Sequence, residues 1–128
     1  MAPGPFLAAL VALPLLGIGQ TDARDLHQIG TASWYGGKYD GRPTASGEIF
    51  DSSQLTAAHP SLPFGTQVQV LNPANGRSVV VRINDRGPGH GRVIDLSMQA
   101  AKALDIVRTG TARVHISTVR DAVAAVGD

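Results

Sequence analysis

The sequence predicts a single small domain of mainly β class, a barrel or sandwich carrying one short helix. Three observations lead there. The chain has 128 residues, a length that suits one domain with a real core and not two. Short runs of alternating apolar residues recur between Gly, Pro and Asn punctuation, as in small all-β folds. Only one stretch has the apolar spacing of a helix.

The elements follow in order. "GTASWYG" (30–36) alternates as a strand. "GTQVQVLN" (65–72) puts Val68 and Val70 on one face and Gln67 and Gln69 on the other. "NPANGR" supplies Asn75-Gly76, a pair that favours a tight hairpin turn, and "SVVVRIN" (78–84) returns as the partner strand. "RVIDL" (92–96) is a further short strand. "SMQAAKAL" (97–104) reads as the helix, with Ser97 as N-cap and Met98, Ala101 and Leu104 on one face. "GTARVHISTV" (110–119) is a last strand with Val114 and Ile116 inward.

The ends read differently. "FLAALVALPLLGIG" is apolar apart from Pro14 and shorter than the roughly 20 residues that span a bilayer. Thr21 and Ala23 follow at the spacing of a small-residue cleavage site. Residues 1–23 are therefore expected to be a secretory signal, cut after Ala23 or near Gly19, and to direct the chain to the periplasm or the medium. The domain is expected over 24–119, and "RDAVAAVGD" (120–128) as a flexible tail.

Composition excludes several classes. A net charge of +1 gives no broad field for nucleic acid. Without cysteine there is no disulfide, thiolate nucleophile or Cys-based metal site, and no lipid-modified N-terminal Cys, so no stable membrane anchor is expected after signal cleavage. The histidines at 27, 59, 90 and 115 lack the HxH or HExxH spacing of a metal site. Neither metal nor cofactor is expected. No nucleophile elbow, phosphate loop or dinucleotide fingerprint occurs.

The candidate chemistry lies in the loops. "INDRGPGHGRVIDLS" (83–97) interrupts apolar strands with more charge than a turn requires. Asp85, at a strand end backed by Val79, Val81 and Ile83, is placed as a partly desolvated general acid would be. The same residue also suits an Asx-turn that satisfies its own loop. "YGGKYDGRPTASGEIFD" (35–51) is long for a simple connection and delivers Tyr35, Tyr39, Thr44, Ser46 and Glu48. "LTAAHPSLPFGT" (55–66) reads as a loop that delivers His59. Each residue alone has a plain structural reading, and Trp34 serves equally as a core residue or, with Tyr35, as a sugar-stacking surface.

Together, "GTASWYGGKYDGRPTASGEIFD", "LTAAHPSLPFGTQVQV", "NDRGPGHGRVIDLS" and "AAKALDI" resemble the rare lipoprotein A (RlpA) family in order and spacing, over about residues 29–119. The resemblance implies a six-stranded double-psi β-barrel, the architecture also found in expansins and barwin-like proteins. It implies peptidoglycan glycan strands as ligand, lytic transglycosylase chemistry, and cell-wall or division proteins as further partners. Residue by residue, it implies Asp85 of N-D-R-G-P as the catalytic acid/base, with Glu48 of T-A-S-G-E and His59 of T-A-A-H supporting it. Trp34, Tyr35, Thr44, Ser46, Asn84, Arg86 and Arg92 are the expected substrate-binding residues. The loop after N-D-R-G-P departs from the family, carrying "GHG" where relatives are a residue longer and bulkier. The alternative reading is a non-catalytic glycan-binding or expansin-like module, and a third is an inhibitor using the same surface.

Overall fold

A computed structural model describes residues 26–119. The expected signal (1–23) and tail (120–128) lie outside these residues. The described residues form six strands, β1 (His27–Tyr35), β2 (Thr56–Ala58), β3 (Gln67–Asn72), β4 (Arg77–Asp85), β5 (Arg92–Ser97) and β6 (Thr111–Thr118), and one α-helix, α1 (Met98–Leu104), between β5 and β6.

The strands close into a barrel in the order β1-β5-β2-β4-β3-β6. Closure pairs every sheet edge, so among the described residues no strand is left open to another chain. β1 runs parallel to β5 and β2 parallel to β4, whereas the other neighbours are antiparallel. This interleaving makes the barrel the double-psi type. Alternation fills its interior: Val68, Val70, Val81, Ile83, Ile94, Leu96, Val114 and Ile116 are all buried. Gly30 is required where β1 and β5 approach, because a Cβ there would run into Cγ1 of Val93.

Three expectations need correction. Thr56–Ala58, read as part of a loop, is a strand whose three residues are all buried. The β3–β4 connection is longer than a two-residue turn: Asn72 pairs with Arg77, and the N–H of Gly76, at φ 77°, closes on the Asn72 carbonyl at 2.9 Å. In α1 the buried face is Ala100, Ala101 and Leu104, with Met98 only half-buried. The cap is as expected, since Ser97 Oγ accepts from the Ala100 N–H at 3.3 Å. Asn72 and Asn75 both donate to the Leu104 carbonyl, at 3.2 and 3.1 Å, which satisfies an acceptor the helix end leaves free.

Candidate active site

The site lies on the outer barrel wall, across β1, β5, β2 and β4, where residues 36–55 fold over the strands. Its position follows from register. Ala58 of β2 pairs with Asp85 of β4 on one side and Asp95 of β5 on the other. Asp95 is half-buried between the fully buried Ile94 and Leu96, so strand alternation turns its side chain outward. The methyl group of Ala58 leaves space between the two carboxylates. A pocket of about 270 Å³ occupies it, lined by Tyr35, Tyr39, Arg42, Pro43, Thr44, Phe50, Ala58, Asp85, Arg86 and Asp95.

Each carboxylate is anchored through one oxygen. Asp85 Oδ1 accepts the N–H of Ala45 and the N–H of Arg86, both at 2.9 Å. Asp95 Oδ1 accepts from Ser33 Oγ, and Arg92 Nη1 stands 3.5 Å from the same oxygen. Arg92 also donates to Ser33 Oγ at 2.7 Å. Among the described residues neither Oδ2 has a protein partner, and neither is sealed from solvent. The structural reading of Asp85 rests on Oδ1, which ties the loop, and it leaves Oδ2 without a protein partner among the described residues.

Tyr35, at the end of β1, lines the same pocket. Its ring stacks on Phe50 at 4.7 Å and meets Tyr39 edge-on at 5.8 Å. Its hydroxyl is buried without a hydrogen-bond partner among the described residues, which is costly in a folded interior and calls for a ligand or water to complete it. Burial, and then the charges of Asp85 and Asp95, push the phenol well above its ordinary value. Tyr35 thus stays protonated and can donate.

Of the other expected residues, Thr44 and Arg86 line the pocket. Arg86 is held by the carbonyls of His59 and Leu62, at 3.2 and 2.8 Å, with its guanidinium 4.0 Å above the Phe64 ring. Arg92 stands behind Asp95. Ser46 braces the loop through Thr44 Oγ1 at 3.0 Å and through its N–H to the Asn84 carbonyl at 3.3 Å. Trp34 packs against the core and lines a separate open groove with Tyr35, Gly36, Lys38 and Tyr39.

Glu48 stands outside the pocket lining, held by two parallel bonds from Arg82 at 2.7 and 2.8 Å and by Asn84 Nδ2 at 3.1 Å. Asn84 is itself buried. These bonds hold the Glu48 carboxyl down at about 2, chiefly through Arg82 and then Asn84. Glu48 is therefore ionised at neutral pH, with no proton to give. Its lowered value stabilises the fold above the ordinary carboxylate range, and that contribution fades as pH falls toward 2. With both partners two-fifths exposed, solvent and salt keep it small. Arg82→Ala is expected to return the Glu48 carboxyl toward 4.5, read by NMR titration of its side-chain carbon. An unchanged titration would mean that Arg82 does not set the charge.

His59 lies on the loop after β2, as expected, and is buried there, 2% exposed. Nδ1 accepts from the N–H groups of Ser61 and Leu62, both at 3.1 Å, so the proton belongs on Nε2, which faces Gln28 Oε1 at 3.1 Å. Burial, and secondarily Arg86, push the imidazole below its ordinary value. Its backbone carries the link to the site: the His59 N–H donates to the Asp85 carbonyl at 3.2 Å.

Tyr39, a candidate from the same loop as Thr44, also lines the pocket, and Asp95, Arg42, Pro43, Phe50 and Ala58 complete it without having been expected there. For Asp95 a signal existed, since in "VIDL" the acid falls on the outward step of an alternating strand. Among the described residues no group of three or more potential ligands could hold a metal, and no helix is long and apolar enough to cross a membrane.

A double-psi barrel with an outer-wall pocket bearing two carboxylates defines the class. The family described as lytic transglycolase matches residues 27–116, and the chain belongs to it, in its RlpA branch. It is 48% identical over 123 residues to the endolytic peptidoglycan transglycosylase RlpA of Pseudomonas aeruginosa, covering 91% of this chain and 36% of that protein. To the protein of the same description from Neisseria meningitidis it is 53% identical over 93 residues, 72% of this chain and 39% of the relative. The chain thus spans under two-fifths of the length of these relatives. Among solved structures it is similar to the Streptomyces papain inhibitor, with TM-score 0.61 and 27% identity over 74% of this chain and 96% of the other. A Clavibacter michiganensis expansin mutant in complex with cellohexaose gives TM-score 0.61 at 24% identity, over 75% and 52% of the two chains, which shows the shared fold.

Proposed function

We propose that this chain is an endolytic peptidoglycan lytic transglycosylase acting outside the cytoplasm, in the periplasm or as a secreted enzyme. Its reaction breaks the β-1,4 bond between N-acetylmuramic acid and N-acetylglucosamine without water. One observation carries the reading: Asp85 is locked through Oδ1 by two N–H groups and offers Oδ2 to a pocket beside a protonated phenol.

In this mechanism Asp85 donates a proton to the glycosidic oxygen as the bond to the anomeric carbon breaks and its electron pair leaves with that oxygen. The Asp85 carboxylate then takes the proton of the muramic C6 hydroxyl, whose oxygen bonds to the anomeric carbon and closes a 1,6-anhydro ring. Leaving oxygen and entering hydroxyl share one face of the sugar, so one carboxyl serves both steps. Tyr35 completes its unpaired hydroxyl on the substrate, and Arg86 and Thr44 hold the flanking sugar. Glu48, Arg82 and Asn84 fix the loop that carries Ala45, and so the orientation of Asp85. Residues 1–23, read as an export signal, supply the route to the wall, and cell-wall or division proteins are the partners this role implies.

Incubating the chain with purified glycan strands tests the proposal. Release of soluble fragments is the expected result. Sedimentation with the strands and no release would identify a binding module instead.

A further inference from the structure

The mechanism proposed above uses one acid, yet the pocket has two, Asp85 and Asp95. Asp95 approaches from the opposite side of Ala58, on the far neighbour of the same short strand. Two inter-strand steps of about 4.8 Å put the two backbones roughly 9–10 Å apart, wide enough for a pyranose ring between the side chains. Asp95 differs from Asp85 in its support: it is tied to Ser33 and stands against a guanidinium, that of Arg92. Asp85 has no cation within ion-pair distance among the described residues. Asp95 thus lines the pocket beside a cation, with one oxygen free of protein partners among the described residues.

On the reading of the previous subsection, leaving group and entering hydroxyl occupy the face served by Asp85. Positive charge develops at the anomeric carbon and ring oxygen between the two events. We infer that Asp95 is a second catalytic residue, an ionised carboxylate that faces the opposite side of the bound muramic ring and stabilises the positive charge of the oxocarbenium-like transition state. It takes no proton and forms no bond. Its free Oδ2 stabilises the developing charge by Coulomb attraction, or accepts a hydrogen bond from the N–H of the 2-acetamido group. Ser33 and Arg92 keep it from turning toward the cation as a bond is made, so little reorganisation accompanies the charge, as electrostatic catalysis requires.

The test compares two disaccharides of the same shape, one with an iminosugar in the muramic position, protonated at the assay pH, and its neutral counterpart with a ring oxygen. Wild type is expected to bind the cationic form about tenfold or more tightly, as charge complementarity in a confined site allows. Asp95→Asn retains the acceptor for Ser33, and should lose that preference while binding the neutral disaccharide within about twofold. Turnover should fall by about 100-fold. Asp95→Glu keeps the charge and should keep the preference, which covers the case in which the Asn variant fails to fold. An Asn variant with preference and turnover intact would overturn the inference, and so would equal loss of both ligands. If wild type releases nothing from glycan strands yet its cation preference depends on Asp95, the transglycosylase proposal fails and the charge site stands.

Discussion

Asp85→Asn is expected to lower release of glycan fragments by a factor on the order of 100 to 10,000, the range general acid–base assistance supplies. The substitution keeps the size of the side chain and an oxygen able to accept the N–H groups of Ala45 and Arg86, which hold Oδ1 at 2.9 Å. What it removes is the proton for the leaving oxygen and the base for the C6 hydroxyl. The barrel should therefore melt where wild type melts, and glycan strands should still bind, since Tyr35, Thr44 and Arg86 are untouched. The check is a rate measured beside a melting curve and a binding isotherm on the same preparation. Full turnover in the Asn variant would remove Asp85 from the chemistry.

His59→Ala should act on stability first. The imidazole Nδ1 accepts two backbone N–H groups, and Leu62, one of the donors, is buried. Stranding a buried donor costs about 1–3 kcal/mol, and deleting a buried ring adds a cavity penalty. A loss of about 2–4 kcal/mol follows, a large share of the roughly 5–15 kcal/mol that holds a domain together. Turnover should fall with it, because His59 contacts the Asp85 carbonyl and Arg86 through its backbone. His59→Asn presents an amide oxygen to the same turn, and should recover most of the stability and the turnover. A folded Asn variant without activity would instead give the imidazole a chemical role.

The pH dependence of stability has a definite sign. Burial lowers the folded-state value of His59, so below its ordinary value near 6.5 the unfolded chain binds the proton more readily. Stability is full above that value and declines as pH falls from it toward the depressed folded value. Thermal midpoints taken from pH 7 to 5 should show the decline in wild type and a shallower one in His59→Asn.

Much of the barrel was legible because alternation is strong where strands are long. Val68 and Val70 against Gln67 and Gln69 announced β3 without ambiguity, and Ser97 announced the helix start. β2 was illegible for a physical reason: three residues, all buried, contain no alternation to read. That one omission hid the site's geometry, because Ala58 is the residue between the two acids. Asp85 was found from charge placed against an apolar strand and from its motif. Asp95 was passed over because a single acid within "VIDL" looks like an ordinary outward residue until the register sets it opposite Asp85. The hold of Arg82 on Glu48 spans 34 positions, and no local spacing reveals it. His59 precedes a Pro in what read as a loop, and only the closed fold shows that its ring serves as an acceptor for the turn beneath it.

The central claim is that an intramolecular hydroxyl, not water, completes the cleavage in the pocket of Asp85. Mass analysis of the ends released from purified glycan strands tests it most directly. The account predicts ends that are lighter than hydrolysis products by one water and resistant to borohydride reduction, as 1,6-anhydromuramic acid is. Reducing ends of full mass would contradict it and make the protein a hydrolase.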